Sequence, residues 1–295
     1  MRVLSEALEL IKAGLAKDQY YKIMNYVYKE AFSDYYMIHF PFYQNDTDDL
    51  LQGQKNLTNV CLSLLPSLHD KRVLEVGCGN GVQALYIKEK YRPSLMVGLD
   101  IQEENIKLAE SLRDNNGHQN VEFLVSDAQE MVGVESSSFD IIVNIESAMH
   151  YPEKDRFFSE IFRILKPGGS YVIADILSKV EDKNIFFRWL ERRLDQLYWP
   201  LDSYIKGLSR AGLSIDMKKD ITSDVLKGFE LSSNWFANYT GSGKLRKSLI
   251  TLFSKIQIAK HKYYLRNFSR YLIFVGKKNS GRQDSINERI IQMGS

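Results

Sequence analysis

The chain is short of the features that mark several classes of protein. Two cysteines among 295 residues, Cys61 and Cys78, are too few for a disulfide framework or a zinc site, so we expect a reducing compartment, the cytoplasm, and no metal centre. No apolar run reaches the roughly 20 residues that span a bilayer, and the first residues lack the apolar core of a secretory signal. The net charge of +2 does not indicate a polyanionic partner.

The most informative segment begins with an apolar strand at residues 73–76. The strand runs directly into a glycine turn, residues 77–81, and a helix-forming run and a second strand that ends at Asp100 follow. Glycines permit a tight turn and let the backbone approach a ligand closely, and an acid at the end of the second strand is placed to accept ribose hydroxyls. The segment predicts a nucleoside-binding βαβ unit. Val82 occupies the last glycine position of the dinucleotide fingerprint, which disfavours a pyrophosphate ligand.

With Glu75 before its first glycine, the turn resembles that of class I S-adenosylmethionine (SAM)-dependent methyltransferases, where it passes under the methionine and ribose of SAM. Residues 121–128 resemble the third-strand motif of that family, 139–147 its fourth-strand motif, and 163–169 the corner before its fifth strand. The resemblance covers about residues 70–178 and implies SAM as the cofactor.

The resemblance also implies which residues meet SAM. Asp100 is expected on the ribose diol, because a carboxylate can accept both hydroxyl protons, and Asp127 on the adenine amino group with Ala128 against the ring. Alternatively, Asp100 is a plain strand-end residue, and Asp127 also fits the N-cap of a following helix. The complete expected cofactor set is Glu75, Gly77, Gly79, Gly81, Asp100, Ile101, Asp127, Ala128 and Ile145.

Two side chains at neighbouring strand ends are candidates for acid–base catalysis. His150 follows the fourth strand and Asp175 ends the fifth. The pair resembles that of natural-product O-methyltransferases, in some of which the histidine takes the hydroxyl proton and the aspartate assists. The ordinary pKa of histidine suits a general base near neutrality. The alternative is that His150 caps the following helix and Asp175 only ends a strand.

Strand and helix signals alternate after the N-terminal region, which predicts an α/β fold: a Rossmann-like, doubly wound sheet of seven strands with the last antiparallel. We predict a helical cap over residues 1–70, a methyltransferase domain over 71–279 with helical insertions at 177–212 and 223–270, and a tail over 280–295. The predicted strands are Val73–Val76, Leu95–Leu99, Val121–Val125, Phe139–Ile145, Ser170–Ile176, Ser214–Asp220 and Tyr271–Gly276.

Positive charge is concentrated near the end of the chain. Residues 244–282 contain 11 lysines and arginines and no acid, and residues 243–267 are predicted to form a basic amphipathic helix. We expect its apolar stripe to pack on the sheet beside the acceptor pocket, with the cations outward. The expected stripe is Leu245, Leu249, Leu252, Phe253, Ile256, Ala259 and Tyr263, and the expected outer cations are Lys247, Lys255, Lys262 and Arg266. Alternative roles for this face are binding of an anionic membrane, an acidic acceptor or nucleic acid.

These expectations together describe a SAM-dependent methyltransferase that acts on a small organic acceptor, at a hydroxyl oxygen of a natural-product, lipid or polyketide-like molecule. N- or C-methylation of a small molecule stays open. So do two functions of other classes: an RNA-modifying methyltransferase and a non-catalytic SAM-binding module. We expect no nucleic-acid partner, and we keep peripheral contact with an anionic membrane as an alternative. The sequence does not set the oligomeric state.

Overall fold

A mixed sheet of seven strands forms the centre of the computed structural model, which describes residues 20–181, 196–231 and 244–279. Its strands are β1 Arg72–Val76, β2 Leu95–Asp100, β3 Val121–Val125, β4 Phe139–Ile145, β5 Leu165–Ser178, β6 Met217–Asp220 and β7 Ser269–Lys277. Their order is β3-β2-β1-β4-β5-β7-β6, and β7 is antiparallel to both of its neighbours. The predicted fold, including the antiparallel last strand, is confirmed.

Helices cover both faces of the sheet, which is why its central strands are apolar on both sides. The helices of the described ranges are α1 Tyr20–Phe32, α2 Leu50–Leu62, α3 Val82–Tyr91, α4 Glu103–Asn115, α5 Lys154–Ile164, α6 Leu201–Arg210, α7 Thr222–Glu230 and α8 Lys244–Asn267. Side chains alternate between the two faces along each strand. Val73 and Val143 therefore pack with α2, α3, α4, α7 and α8, whereas Leu74 and Ile142 pack with α5 and α6.

The region before the sheet differs from the predicted run of helices. Between α1 and α2 the chain is irregular, because polar side chains take up its backbone groups. Asp48 accepts the N–H groups of Gln44 and Asn45 at 3.0 and 3.1 Å, and the Gln54 amide donates to the carbonyl of His39 at 3.0 Å. Residues 1–19 of the predicted helical cap lie outside the described residues, as do residues 182–195 and 232–243 of the two insertions and the whole of the tail.

Strand ends also differ from their predicted positions. Strand β5 begins at Leu165, directly after α5, and its pairing with β4 shifts register between Phe139 and Ile141. Gly168, with φ +74°, supplies the bend predicted before this strand. Strand β6 is shorter than predicted and begins at Met217. The connection from β3 to β4 is made of turns and holds no helix.

Helix α8 matches its predicted range, but the predicted burial of its apolar stripe is wrong for Leu252, Ile256 and Tyr263. The predicted positions of the Leu245, Lys247, Leu249 and Phe253 side chains lie outside what the structure describes. Leu252 and Ile256 are each 57 % exposed and Tyr263 is 63 % exposed. The helix instead packs through a face that carries Ser254 and Leu265, both buried. Apolar side chains occur on both arcs of this helix, so helical spacing alone does not identify the arc that meets the sheet.

Candidate active site

The glycine turn lies at the carboxyl end of β1, between the ends of β2 and β4. The N–H groups of Gly77 and Cys78 donate to the carbonyl of Leu99 at 2.7 and 2.9 Å, which ties the turn to β2. Gly77 has φ +73°, and a Cβ there would collide with the Ser147 side chain beyond β4. Beside Gly79, a Cβ would meet no heavy atom within 4 Å. Gly77 thus brings two strand ends together, while Gly79 borders open space that a ligand can approach.

Asp100 joins the end of β2 to this turn. One carboxylate oxygen accepts the N–H of Gly79 at 3.0 Å, and the other accepts the N–H of Gln102 at 2.9 Å and the Asn105 amide at 3.3 Å. Burial raises the pKa of Asp100, and these hydrogen bonds oppose that rise. A carboxylate offers about four lone-pair sites, so a further donor such as a ribose hydroxyl can still be bound. Gly81 serves packing instead, because a Cβ there would press on α4.

Glu75 is the second acid at this edge, and it is 3 % exposed. Within the described part of the chain, its Oε2 atom has no hydrogen-bond partner. Burial, and then the nearby charge of Asp100, raise its pKa well above the ordinary value. A buried polar atom without a partner is costly. A buried carboxyl oxygen without a partner, in the strand that leads into the glycine turn, fits a cationic or hydroxyl-bearing ligand, and SAM carries an ammonium group, a sulfonium and a ribose diol.

Asp127 holds a turn after β3. Its Oδ1 atom accepts the backbone N–H of Gln129 at 2.8 Å and the side-chain amide of the same residue at 3.1 Å. Asp127 thus accepts backbone N–H groups as an N-cap residue does, which was the alternative to adenine binding. The segment that follows it is a turn and not the predicted helix. Ala128 and Ile145 are buried nearby in the sheet layers, and Ile101 is 64 % exposed directly after Asp100. Contact of these residues with adenine and ribose stays a prediction.

His150 ends a single 3₁₀ turn, Ala148–His150, between β4 and α5. Its backbone N–H donates to the carbonyl of Ser147 at 3.0 Å, and its side chain is half-buried. A positive charge on His150 favours the ionised forms of both Asp100 and Asp175. His150 is therefore near enough to the cofactor acid and to its predicted partner to interact with both electrostatically.

Asp175 is fully buried in β5, on the face covered by α5 and α6. Burial raises its pKa, and the strongest opposing influence is the buried ammonium of Lys154. Its Oδ1 atom accepts the N–H of Ile176 at 2.8 Å. The Tyr204 hydroxyl lies close to the carboxyl, but the two make no hydrogen bond of good geometry. Asp175 is thus enclosed by protein and does not face solvent. Catalytic roles for His150 and Asp175 stay predictions.

Glu146 is a site residue that the sequence reasoning missed. It follows β4 directly, has φ +52° and is 6 % exposed. A left-handed backbone is uncommon outside glycine, and strain of this kind concentrates at functional sites. Burial raises the pKa of Glu146 to about 8. Its Oε1 atom accepts the N–H of Phe40 at 2.8 Å, and its environment includes the Tyr271 hydroxyl. In the sequence, Glu146 stands out only as an acid directly after the apolar strand Phe139–Ile145.

Three aromatic rings pack together next to Glu146, beginning with Phe40, whose backbone N–H is bound to the Glu146 carboxyl. The Phe40 ring meets Phe229 of α7 edge-on at 4.8 Å between centroids, and His261 of α8 at 5.2 Å. We call these three residues the aromatic wall. The Nε2 atom of His261 and the hydroxyl of Tyr271 are buried without a hydrogen-bond partner in the described ranges. Burial lowers the pKa of His261 to about 3, so its imidazole is neutral. An apolar wall with a few convergent polar groups is typical of a small-molecule pocket.

Comparison with known proteins matches part of the chain to a family model. Residues 68–201, less than half of the chain, match the model of a family described as a methyltransferase domain. This part of the chain is thus similar to a methyltransferase domain. The glycine turn, Asp100, Glu146 and His150 all lie within the matched residues, and the resemblance seen in the sequence is confirmed.

Relatives with partial matches carry methyltransferase names. A phthiotriol/phenolphthiotriol dimycocerosates methyltransferase of Mycobacterium leprae is 36% identical over 44% of this chain and 47% of its own. A fatty-acid O-methyltransferase of Mycolicibacterium smegmatis is 38% identical over 36% of this chain and 37% of its own. The chain thus matches half or less of the length of these relatives.

Solved structures agree over a larger share of the chain. The crystal structure of a putative sarcosine dimethylglycine methyltransferase from Galdieria sulphuraria has a TM-score of 0.74 and covers 90% of this chain and 99% of its own. Its sequence identity is 17%, so it supports the fold alone. Within the described ranges no helix is long and apolar enough to cross a membrane, and no cluster of three or more His, Cys, Asp or Glu side chains suits a metal ion.

Proposed function

We propose that the protein is a SAM-dependent methyltransferase that methylates an oxygen atom of a small, partly apolar, lipid-like acceptor. The observation that supports this most strongly is the hydrogen bond from the Gly79 N–H to Asp100 at 3.0 Å, beside the open space at Gly79. Glu75, whose Oε2 atom has no partner in the described ranges, lies in the strand that leads into this turn. This arrangement lies inside the residues that match a methyltransferase domain model, at the carboxyl edge where open α/β sheets bind their ligands.

The acids of this edge are suited to hold SAM. Asp100 would take the ribose diol, Glu75 and the glycine turn the methionine part, and Asp127 the adenine amino group. Bound SAM supplies a methyl group that is already activated by its positively charged sulfur. The tasks left to the protein are to position the acceptor oxygen in line with that methyl group and to take up the proton of the oxygen.

His150 is our proposed base for that proton, because it lies at the same edge within reach of Asp100. Asp175, behind it, would assist by favouring the charged imidazole after proton uptake. Glu146 contacts the acceptor side from β4, and its raised pKa, about 8, lets it change protonation close to neutrality. We assign it a positioning role in the acceptor pocket, since it also holds Phe40 in place.

The acceptor is proposed from the aromatic wall and from the names of the relatives, one of which acts on fatty acids. Phe40 and Phe229 offer apolar surface, and the neutral imidazole of His261 offers one polar contact. We place the reaction in the cytoplasm, since Cys61 and Cys78 are buried free thiols. Burial raises the pKa of both thiols, so neither is a reactive nucleophile.

The proposal is tested by incubating the protein with methyl-labelled SAM and a fractionated extract of the source cell. We expect the label in the lipid-containing, organic-soluble fraction, as a methyl ether or ester. Label in RNA, or SAM binding without transfer to any fraction, would support the alternative classes and would contradict this function.

A further inference from the structure

The outer face of α8 has apolar side chains at its centre. Leu252, Ile256 and Tyr263 are four and seven residues apart in turn, which places them on one side of a helix, and all three are more than half exposed. Ala259, on the same arc, is also exposed. Exposed large apolar residues scattered singly are ordinary, whereas an aligned group of this kind marks an interaction surface.

Buried contacts on the opposite side fix this orientation. Leu265 and Ser254 are buried, and His261 packs edge-on against Phe40. At the end of the helix, the Lys179 ammonium donates to the carbonyls of Leu265 and Arg266 at 3.3 and 2.9 Å. Lys179 thus satisfies two terminal carbonyls and complements the negative end of the helix dipole. The helix cannot turn its apolar arc inward without losing these contacts.

Cations flank the apolar arc. Lys255 and Arg266 are exposed beside it, and Lys262 lies on the same flank. Glu230 of α7 is close to two of these groups, at 3.5 Å from Lys262 and 3.9 Å from Arg266, so their charge is partly offset. Within Lys244–Asn267 itself there are seven lysines and arginines and no acid. The net charge of this helix is therefore positive, which complements an anionic surface.

We propose that the outer face of α8 docks on an anionic lipid bilayer, with Leu252, Ile256 and Tyr263 at the boundary between headgroups and acyl chains. Interfacial helices bind in this way, with an apolar centre and flanking lysines or arginines. A nucleic acid would contact the cations but leave Leu252 and Ile256 in water, so it fits this face less well. Only the purpose of docking rests on the proposed function, since a lipid-like acceptor would be taken from the membrane. His261, which belongs to α8, packs on Phe40 and so links the docking helix to the aromatic wall.

The test is sedimentation of the full chain with phosphatidylcholine vesicles, with and without phosphatidylglycerol, and without SAM or acceptor. We expect binding to the anionic vesicles that weakens at high salt. Leu252→Ser with Ile256→Ser should lower the partition coefficient by about ten-fold or more, and Lys255→Glu by about five-fold. Matched controls are Val132→Ser, which changes an apolar residue that is 70 % exposed in the turn after β3, and Lys206→Glu on α6. Both controls should bind as the wild type does.

Several results would overturn the proposal. These are equal binding to neutral and anionic vesicles, no binding to either, and equal losses in the α8 variants and their controls. Self-association that the Leu252→Ser and Ile256→Ser changes abolish, without vesicle binding, would instead assign the face to a second copy of the chain. SAM binding, measured separately by calorimetry, should be unchanged in all of these variants. A failure of docking is thus distinct from a failure of the proposed function.

Discussion

The Glu146 carboxylate accepts the backbone N–H of Phe40 at 2.8 Å, across 106 positions of sequence. This hydrogen bond joins the irregular segment before α2 to the end of β4, where the cofactor edge and the aromatic wall meet. Glu146 thus both holds Phe40 of the aromatic wall in place and adds an ionisable group beside that wall. The consequences for stability and for chemistry can be measured separately.

The pH dependence of stability should report on Glu146. Its pKa in the folded state, about 8, lies above the ordinary value of 4.5 for a glutamate, so folding favours the protonated form. Its contribution to the free energy of unfolding is complete below pH 4.5 and is lost as the pH rises through 8. The loss is about 5 kcal/mol at most.

Glu146→Gln keeps an oxygen that can accept from Phe40 but does not titrate. We expect the difference in unfolding free energy between the Glu146→Gln variant and the wild type, measured by urea denaturation, to move in favour of the variant as pH rises from about 5 to about 9. Glu75 and Asp175 are unchanged in the comparison, so their own titrations cancel to first order. A difference that stays constant over this range would contradict the raised pKa.

Gly77→Ala should destabilise the protein more than Gly133→Ala. Both glycines have positive φ, +73° and +85°, so alanine is strained at both by about 1–2 kcal/mol. Beside Gly133 a Cβ meets no atom within 4 Å, whereas beside Gly77 it collides with Ser147. Urea denaturation should show an excess loss of about 1–3 kcal/mol in Gly77→Ala. Equal losses in the two variants would show that the strand ends do not need this close approach.

Much of the fold and of the cofactor edge could be predicted because local patterns determine them. An apolar strand, a glycine turn and a strand-final acid are sequential features, so the positions of Gly77, Gly79 and Asp100 followed from spacing alone. The predicted start of β5, Ser170, was less accurate, because the strand begins at Leu165 and continues across Gly168. A glycine in the sequence indicates a bend but not whether the residues before it also pair with the neighbouring strand.

Other features depend on contacts between distant segments, and these have no local signal. The exposure of Leu252 and Ile256 results from which arc of α8 meets α7 and β7, and both arcs carry apolar residues. The role of Glu146 depends on Phe40, a residue of an irregular segment that polar side chains hold in place. The enclosure of Asp175 depends on Lys154 and Tyr204, which lie on two separate helices.

His150→Ala should lower turnover with a long-chain alcohol by roughly 10²–10⁴ while leaving the affinity for SAM nearly unchanged. The reason is that an alcohol must give its proton to a base during the transfer, whereas a fatty acid is already ionised near neutral pH. The measurement is steady-state methyl transfer together with calorimetric SAM binding. His69→Ala is a matched control, since that imidazole lies at the exposed start of β1, away from the cofactor edge. Normal turnover after His150→Ala would show that positioning alone suffices and that His150 is not the base.

Asp100→Ala should weaken SAM binding by at least about ten-fold, which corresponds to the loss of hydrogen bonds to a charged group. Asp100 also holds Gly79 at 3.0 Å, so part of the effect would come from a displaced turn. Asp114→Ala, an exposed acid at the end of α4, is the control and should bind SAM normally. Unchanged affinity in Asp100→Ala, or preferential binding of NAD by the wild type, would remove the assignment of this edge to SAM.

The most direct measurement is transfer of the methyl group of labelled SAM to defined acceptors: a fatty acid, a long-chain alcohol and a matched long-chain amine, with the product bond assigned by mass spectrometry. We predict a methyl ester or ether, formed more slowly by Asp100→Ala than by the wild type at subsaturating SAM and at the wild-type rate by Asp114→Ala. Methylation of the amine alone, or SAM binding with no transfer to any of the three, would contradict oxygen methylation of a lipid-like acceptor.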